Sequence, residues 1–284
     1  MLQNAIMSPR LWDSLQKATE GTVLLATSKG TYLRLDGDIL LLTDRAFGLF
    51  PLGIGMESYG ALAEGLSPAP GQRVRLAYGA LTFPGGTLSL RPEVPEEPGW
   101  NGRLSPKALA ECAEALPALS NRRSMARLLP ALLGKRPVPE GALFEAGYTG
   151  LERFWNASDG ASAAEAAVGL LGLGNGLTPS MDDVLLGYLY VLLRRGRTRP
   201  VTEALRRVLS NAAGRTNDIS AAFLKAAALG EPFQRLENLL RGLSGEIPLE
   251  LSPMLEVGGS SGSEIAMGAL LAALRISSAP EYSG

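Results

Sequence analysis

Residues 172–183 read GLGNGLTPSMDD, setting three glycines, a Thr-Pro-Ser and two adjacent aspartates in a region otherwise rich in leucine and alanine. Histidine is absent from the chain, which removes Ser-His and Cys-His nucleophile pairs, imidazole acid–base work and histidine metal ligands. Any chemistry must therefore use carboxylates, Arg, Lys, hydroxyls or backbone amides. Glycines before a helix, here Gly172, Gly174 and Gly176, let backbone N–H groups approach an anion, and the helix dipole favours negative charge there. Phosphate or carboxylate suits such a loop, with Asn175 inside it and the Thr178 and Ser180 hydroxyls beside it. Asp182 and Asp183 bring a conflicting charge. They either hold substrate N–H groups, act as a base, or bind Mg²⁺ that bridges an anion, so no dedicated metal ligand is assigned. Neither a Walker loop nor a dinucleotide fingerprint fits, because no Gly-Lys-Ser/Thr follows and no parallel strand–turn–helix unit surrounds the stretch.

A plainer account also explains part of it. Ser180 followed three residues later by Asp183 approximates a capping box, and the spacing recurs at Ser162 with Glu165 and at Ser261 with Glu264. The glycines exceed what a cap requires. SMDDVLLG (180–187) and SGSEIAMG (261–268) share Ser-x-x-acid-x-x-x-Gly. A helix-interior glycine costs roughly 1 kcal/mol relative to alanine, so Gly187 and Gly268 point to close helix–helix contact, with the two helix starts facing one cavity. In GRTNDISAAFLKAAALGE (214–231), Arg215 precedes a helix, where a cation is disfavoured unless an anion or Asp218 compensates. The Arg215 guanidinium and the Thr216 hydroxyl are candidate donors to a phosphate or carboxylate.

The elements that must position these residues follow from periodicity. Between residues 20 and 91, runs such as TVLLATSKGTYLRLDGDILLLTD and QRVRLAYGALTFPGGTLSLRP read as strands with Gly-containing turns, and SPRLWDSLQKAT and SYGALAEG as short peripheral helices. RPEVPEEPGWNGR (91–103), carrying Pro92, Pro95 and Pro98, reads as a boundary. Beyond it the period becomes helical, near 104–116, 122–133, 142–157, 162–171, 180–195, 201–212, 218–229, 232–242 and 262–275. DDVLLGYLYVLL is apolar nearly all round and is expected at the centre of the bundle. The expected fold is α+β: an antiparallel β-rich domain over 1–100, with a barrel as one way of closing it, then a predominantly helical domain over 101–284. With 27 basic and 28 acidic residues, no block advertises a nucleic-acid partner. No apolar run spans a bilayer and the N-terminus lacks signal-peptide order, so a soluble, cytoplasmic protein is expected. The single cysteine, Cys112, reads as a core residue.

GLGNGLTPSMDDVLLGYL, RTNDISAAFLKAAALGE and VGGSSGSEIAMGAL together resemble the AllH family, named for a subunit of oxamate carbamoyltransferase; the resemblance covers mainly residues 168–275. Gly176, Leu177, Thr178, Pro179, Ser180, Asp182 and Asp183 match its first motif, with Met181 where the family has glycine. Ser261, Gly262 and Glu264 match a Ser-Gly-x-acid motif. The resemblance implies a multi-subunit enzyme of anaerobic allantoin breakdown, within purine catabolism, that converts oxalurate and phosphate to oxamate and carbamoyl phosphate, or the reverse. On that reading the Gly174–Gly176 loop, Arg215 and Thr216 hold the anion, Asp182 or Asp183 contacts N–H groups, and Ser261 and Gly262 line the opposite wall. Ornithine- and aspartate-type transcarbamylases do not fit: GRTRP (196–200) lacks their serine, and their His-Pro motif cannot occur. The competing reading is a non-catalytic assembly or small-anion-binding subunit in which the glycine-rich helix starts only pack and cap.

Overall fold

The computed structural model describes residues 2–93, 99–196 and 200–278. Residues 94–98, within the expected boundary, and 197–199, within GRTRP, lie outside the described residues. The chain separates into two compact units, one comprising Met1–Pro98 with Glu231–Arg235 and the other Gly99–Gly230 with Leu236–Gly284.

In the first unit, β1 (Leu2–Ile6), β2 (Thr19–Ala26), β3 (Gly30–Leu35), β4 (Asp38–Asp44), β5 (Gly53–Met56), β6 (Arg73–Ala77), β7 (Ala80–Phe83) and β8 (Gly86–Glu93) close into a barrel ordered β1-β5-β4-β3-β2-β6-β7-β8. Six of the eight pairings are antiparallel, four of them between consecutive strands joined by short turns. β1 with β8 and β4 with β5 are parallel. Closure leaves no unpaired sheet edge, and alternate residues such as Leu33, Leu35, Val74, Leu76, Leu81 and Leu88 form the core. The two expected peripheral helices, α1 (Pro9–Leu15) and α2 (Tyr59–Leu66), add Leu11, Leu15, Leu62 and Leu66 to it. The Tyr59 hydroxyl reaches Thr31 Oγ1 at 2.7 Å and donates to the Thr27 carbonyl at 3.1 Å, so its buried polar end is satisfied. Residues 231–235 complete this unit: Phe233 meets Phe50 edge-on at 4.5 Å, and Gln234 exchanges hydrogen bonds with the Leu49 backbone.

The second unit holds α3 (Pro106–Leu119), α4 (Leu129–Leu132), α5 (Ala142–Trp155), α6 (Gly160–Leu170), α7 (Ser180–Arg194), α8 (Pro200–Ser210), α9 (Asp218–Ala228), α10 (Gln234–Ser244, from Leu236 onward in this unit), α11 (Ser252–Leu255) and α12 (Ser261–Ser278). The fold is α+β, a closed barrel followed by a helical region. The helix expected over 122–133 is instead a 3-10 turn, Met125–Leu128, running into α4. Ser124 caps the Met125–Leu128 turn and Pro130 lacks a backbone donor, so the chain cannot run as one α-helix through this point. Cys112 is fully buried on α3, and burial pushes its thiol up to about 12, as suits an inert core position.

α7 and α12 are buried along nearly their whole lengths, from Ser180 to Val191 and from Gly262 to Ala273. They cross where neither has a side chain. A Cβ on Gly187 would strike the Ile265 carbonyl, whose carbon lies 2.8 Å away, and one on Gly268 would strike the Val184 carbonyl, again with its carbon at 2.8 Å. The contact is reciprocal: Gly187 faces Ile265 and Ala269, and Gly268 faces Val184 and Tyr188. Replacing either glycine by alanine forces two backbones apart and is expected to cost about 3 kcal/mol. Gly169→Ala, at an exposed helical glycine with nothing within 4 Å, is expected to be neutral or stabilising by up to about 1 kcal/mol. Urea denaturation followed by helical circular dichroism compares the three; equal stabilities would refute the contact.

Candidate functional site

The stretch from Gly172 to Pro179 folds back over the first turn of α7. Gly172 has φ 77° and sits against the Arg215 carbonyl, and its N–H donates to Asp182 Oδ1 at 2.8 Å. Gly174 has φ 128°, and a Cβ there would lie 2.7 Å from that of Ser180. The first helical N–H groups are partly consumed by this fold-back, since Met181 N–H donates to the Leu173 carbonyl at 2.9 Å. Asn175, Gly176 and Leu177 remain exposed at the tip, with Thr178 half-buried behind them.

Asp182 joins three segments. Oδ1 takes the Gly172 N–H, and Oδ2 accepts from the hydroxyls of Thr216 and Ser220, at the start of α9. Asn217 caps α9 through Ser220 N–H and donates its amide to the Leu177 carbonyl at 2.9 Å. Arg215, just upstream, is exposed beside this junction. The starts of α7 and α9 are thus pinned together by a buried carboxylate whose oxygens are satisfied by internal donors.

The capping reading of Ser180 and Asp183 is replaced by a contact across helices. Pro179 is the N-cap of α7 and makes no side-chain cap bond. Asp183 instead accepts from Thr178 at 2.8 Å and from Ser261, the first residue of α12. Glu264 reciprocates, bonding Ser180, the first residue of α7, and also Ser260 at 3.2 Å. Each helix's opening serine therefore holds the acid of the other, and Thr178 Oγ1 and Ser261 Oγ stand 3.0 Å apart above the pair. The cap at α6 also differs from the Ser162–Glu165 expectation: Asp159 is the N-cap and Ser162 its partner. Burial, and then the charge of Glu264, hold the Asp183 carboxyl well above the usual range; burial likewise raises Glu264.

Glu264 has a further partner with no signal in the sequence. Met125 N–H donates to Oε1 at 3.1 Å, while Ser124 Oγ and Ser263 Oγ lie 2.7 Å apart and the Asn121 amide reaches the Gly259 carbonyl at 2.9 Å. The stretch 121–125 thus buttresses the α12 start and brings the exposed Arg122 and Arg123 with it. Thr178, Ser180, Asp182, Asp183, Thr216, Ser261 and Glu264 are brought together. Asn175, Gly176 and Arg215 lie at the exposed rim, and Gly174 is inside the fold-back. Gly262 is buried against the Met254 carbonyl, where its missing side chain permits close contact with α11.

The three carboxylates do not form a cation cage as arranged, because both oxygens of Asp182 and of Glu264 already accept N–H or O–H donors. Among the described residues no group of three or more acidic or cysteine side chains is placed to hold a metal ion. What the arrangement offers is an exposed glycine-rich tip, the Thr178 and Ser261 hydroxyls and the exposed Arg215 guanidinium beside a buried carboxyl pair whose affinity for protons is raised. No helix among the described residues is long and apolar enough to cross a membrane.

No curated protein and no solved structure matches the chain significantly. A family model does match, and its span contains α7, α9 and α12 with the loops that precede them. Over residues 170–273 the chain is similar to the AllH family, described as oxamate carbamoyltransferase subunit AllH.

Proposed function

We propose that the chain is a subunit of an oxamate carbamoyltransferase-like enzyme and that the joined starts of α7, α9 and α12 receive its small anionic substrate. The observation that carries this reading is the convergence of three helix N-termini, tied by Asp182 and by the Thr178–Ser261 contact, beneath an exposed glycine-rich tip and Arg215. Helix N-termini gathered at one place favour a phosphate or carboxylate there. Arg215 and the backbone of Asn175 and Gly176 hold the anion, while Thr216, spent on Asp182, joins Asp182, Asp183 and Glu264 in positioning the groups that touch it.

In the proposed reaction a phosphate oxygen attacks the carbamoyl carbon of oxalurate, and the bond from that carbon to the oxamoyl nitrogen breaks. The nitrogen takes a proton, giving oxamate and carbamoyl phosphate; the reverse reaction runs through the same species. Negative charge grows on the carbamoyl oxygen, so the site must supply donors to it. Thr178 and Ser261 donate to Asp183 when it is ionised. A neutral Asp183 reverses one of these bonds, turning a hydroxyl hydrogen outward toward the reacting oxygen. Burial beside Glu264 favours that neutral form. A companion subunit completes the site.

A second reading, of a non-catalytic assembly or small-anion-binding subunit, is favoured by the internal satisfaction of Asp182 and the tight packing of Gly172 and Gly174. Oxamate-dependent phosphate release from carbamoyl phosphate, measured on the protein with its companion subunits, separates the two. Arg215→Ala, at an exposed position, is expected to lower kcat/KM at least about tenfold and Thr178→Ala about a hundredfold. Undiminished activity in both, and in Asp182→Ala and Asp183→Ala, would leave only the assembly role.

The proton on Asp183 gives a separate expectation. Above about pH 4, the unfolded chain releases this proton while the folded protein keeps it, so its contribution to stability is complete below that pH and is lost as pH rises through the raised folded value. Asp183→Asn keeps the shape and removes the titration. The variant is therefore expected to gain stability relative to the parent as pH rises above about 4. Urea denaturation across that range, with parallel curves for the two proteins, would show that Asp183 titrates normally.

A further inference from the structure

α3 buries Leu109, Cys112 and Leu116 on one side and turns Lys107, Glu111, Glu114 and Pro117 to a cleft on the other. The facing wall is the chain from Arg122 to Glu140, including α4 and the loop that leaves it. The cleft measures about 1290 Å³, beyond the roughly 300–1,000 Å³ of most small-molecule pockets. Its charge is unevenly placed. On the α3 wall Lys107 and Glu111 form an i,i+4 ion pair at 3.8 Å, leaving Glu114. On the other wall Arg122, Arg127, Lys135 and Arg136, all exposed, face a single acid, Glu140. The apolar part of the lining includes Ala110, Ala113, Ala118, Pro130, Leu133 and Val138.

We propose that this cleft docks an acidic, partly apolar stretch of another polypeptide, laid along α3 with its carboxylates toward Arg122, Arg127, Lys135 and Arg136. Its size calls for a chain segment rather than a small anion, and its charge excess selects an acidic one. Nucleic acid fits poorly, since Glu111, Glu114 and Glu140 would face phosphates and, among the described residues, no aromatic side chain lines the cleft for base stacking. A proline-rich wall holds few conformations in the free protein, so little ordering entropy opposes docking. Two of its cations, Arg122 and Arg127, flank Ser124 and Met125, which support Glu264, so an occupant lies beside the buttress of the α12 start. The inference stands apart from the reading of the α7, α9 and α12 starts and survives its failure.

The test uses fluorescence anisotropy of a labelled synthetic peptide of alternating glutamate and leucine, titrated with the 284-residue protein. Binding is expected, weakening with added salt, and at least about tenfold weaker in Lys135→Glu/Arg136→Glu, whose side chains are exposed and whose fold is checked by circular dichroism. Arg122→Glu/Arg127→Glu is expected to act likewise, and Arg207→Glu, an exposed cation on α8 outside the cleft, to change nothing. No binding, equal binding of a lysine–leucine peptide, binding unaltered by either double variant, or displacement by an equal concentration of inorganic phosphate would each overturn the proposal.

Discussion

The crossing of α7 and α12 at Gly187 and Gly268 is the constraint on which the rest of the helical unit depends. Backbone meets backbone there, with no side chain to absorb an error, so the register of one helix on the other is fixed within a fraction of a turn. That register brings Ser180 to Glu264 and Ser261 to Asp183. Two acids that would repel in water are held together in the interior because each receives hydroxyl donors from the opposite helix and because burial raises both carboxyls, Asp183 well above the usual range, which favours a neutral form. The clasp costs desolvation, and the surrounding apolar contacts of two almost wholly buried helices offset it.

Much of this was legible in the sequence, though not its meaning. The repeated Ser-x-x-acid-x-x-x-Gly spacing announced that two helices start alike and that both have a glycine to spare for contact. It could not announce that each serine serves the other helix, because a capping box and a cross-helix clasp use the same residue types at the same spacing. The arginine before α9 and the glycine-rich tip were visible for the same local reason. Asn121, Ser124 and Met125 were not. They lie in a run whose apolar period suggested one helix, and their role comes from contacts to residues more than a hundred positions away.

The barrel shows a similar division. Alternation and turn glycines revealed strands, since a half-buried strand must alternate, and the fold class followed from them. The order in which those strands close is a long-range matter. LQNAI lies outside the run read as strands, and nothing local to it marks a strand that seals the sheet against β8 in parallel. Likewise Thr31 and Tyr59 read as ordinary strand and helix residues, and only the fold shows them sharing a buried hydrogen bond.

The assignment of Glu231–Arg235 to the barrel unit bears on how the chain is made. A ribosome releases the eight strands long before it reaches Phe233, so the barrel emerges without the ring that packs on Phe50 and without the Gln234 side chain that receives Leu49 N–H. The sheet can close early, but the face that takes Phe233 stays open until more than a hundred residues of the helical unit, Gly99–Gly230, have followed it out. Through that interval Phe50 is a sticky surface on a nascent chain, and the order of synthesis, as much as the final contacts, decides what meets it first.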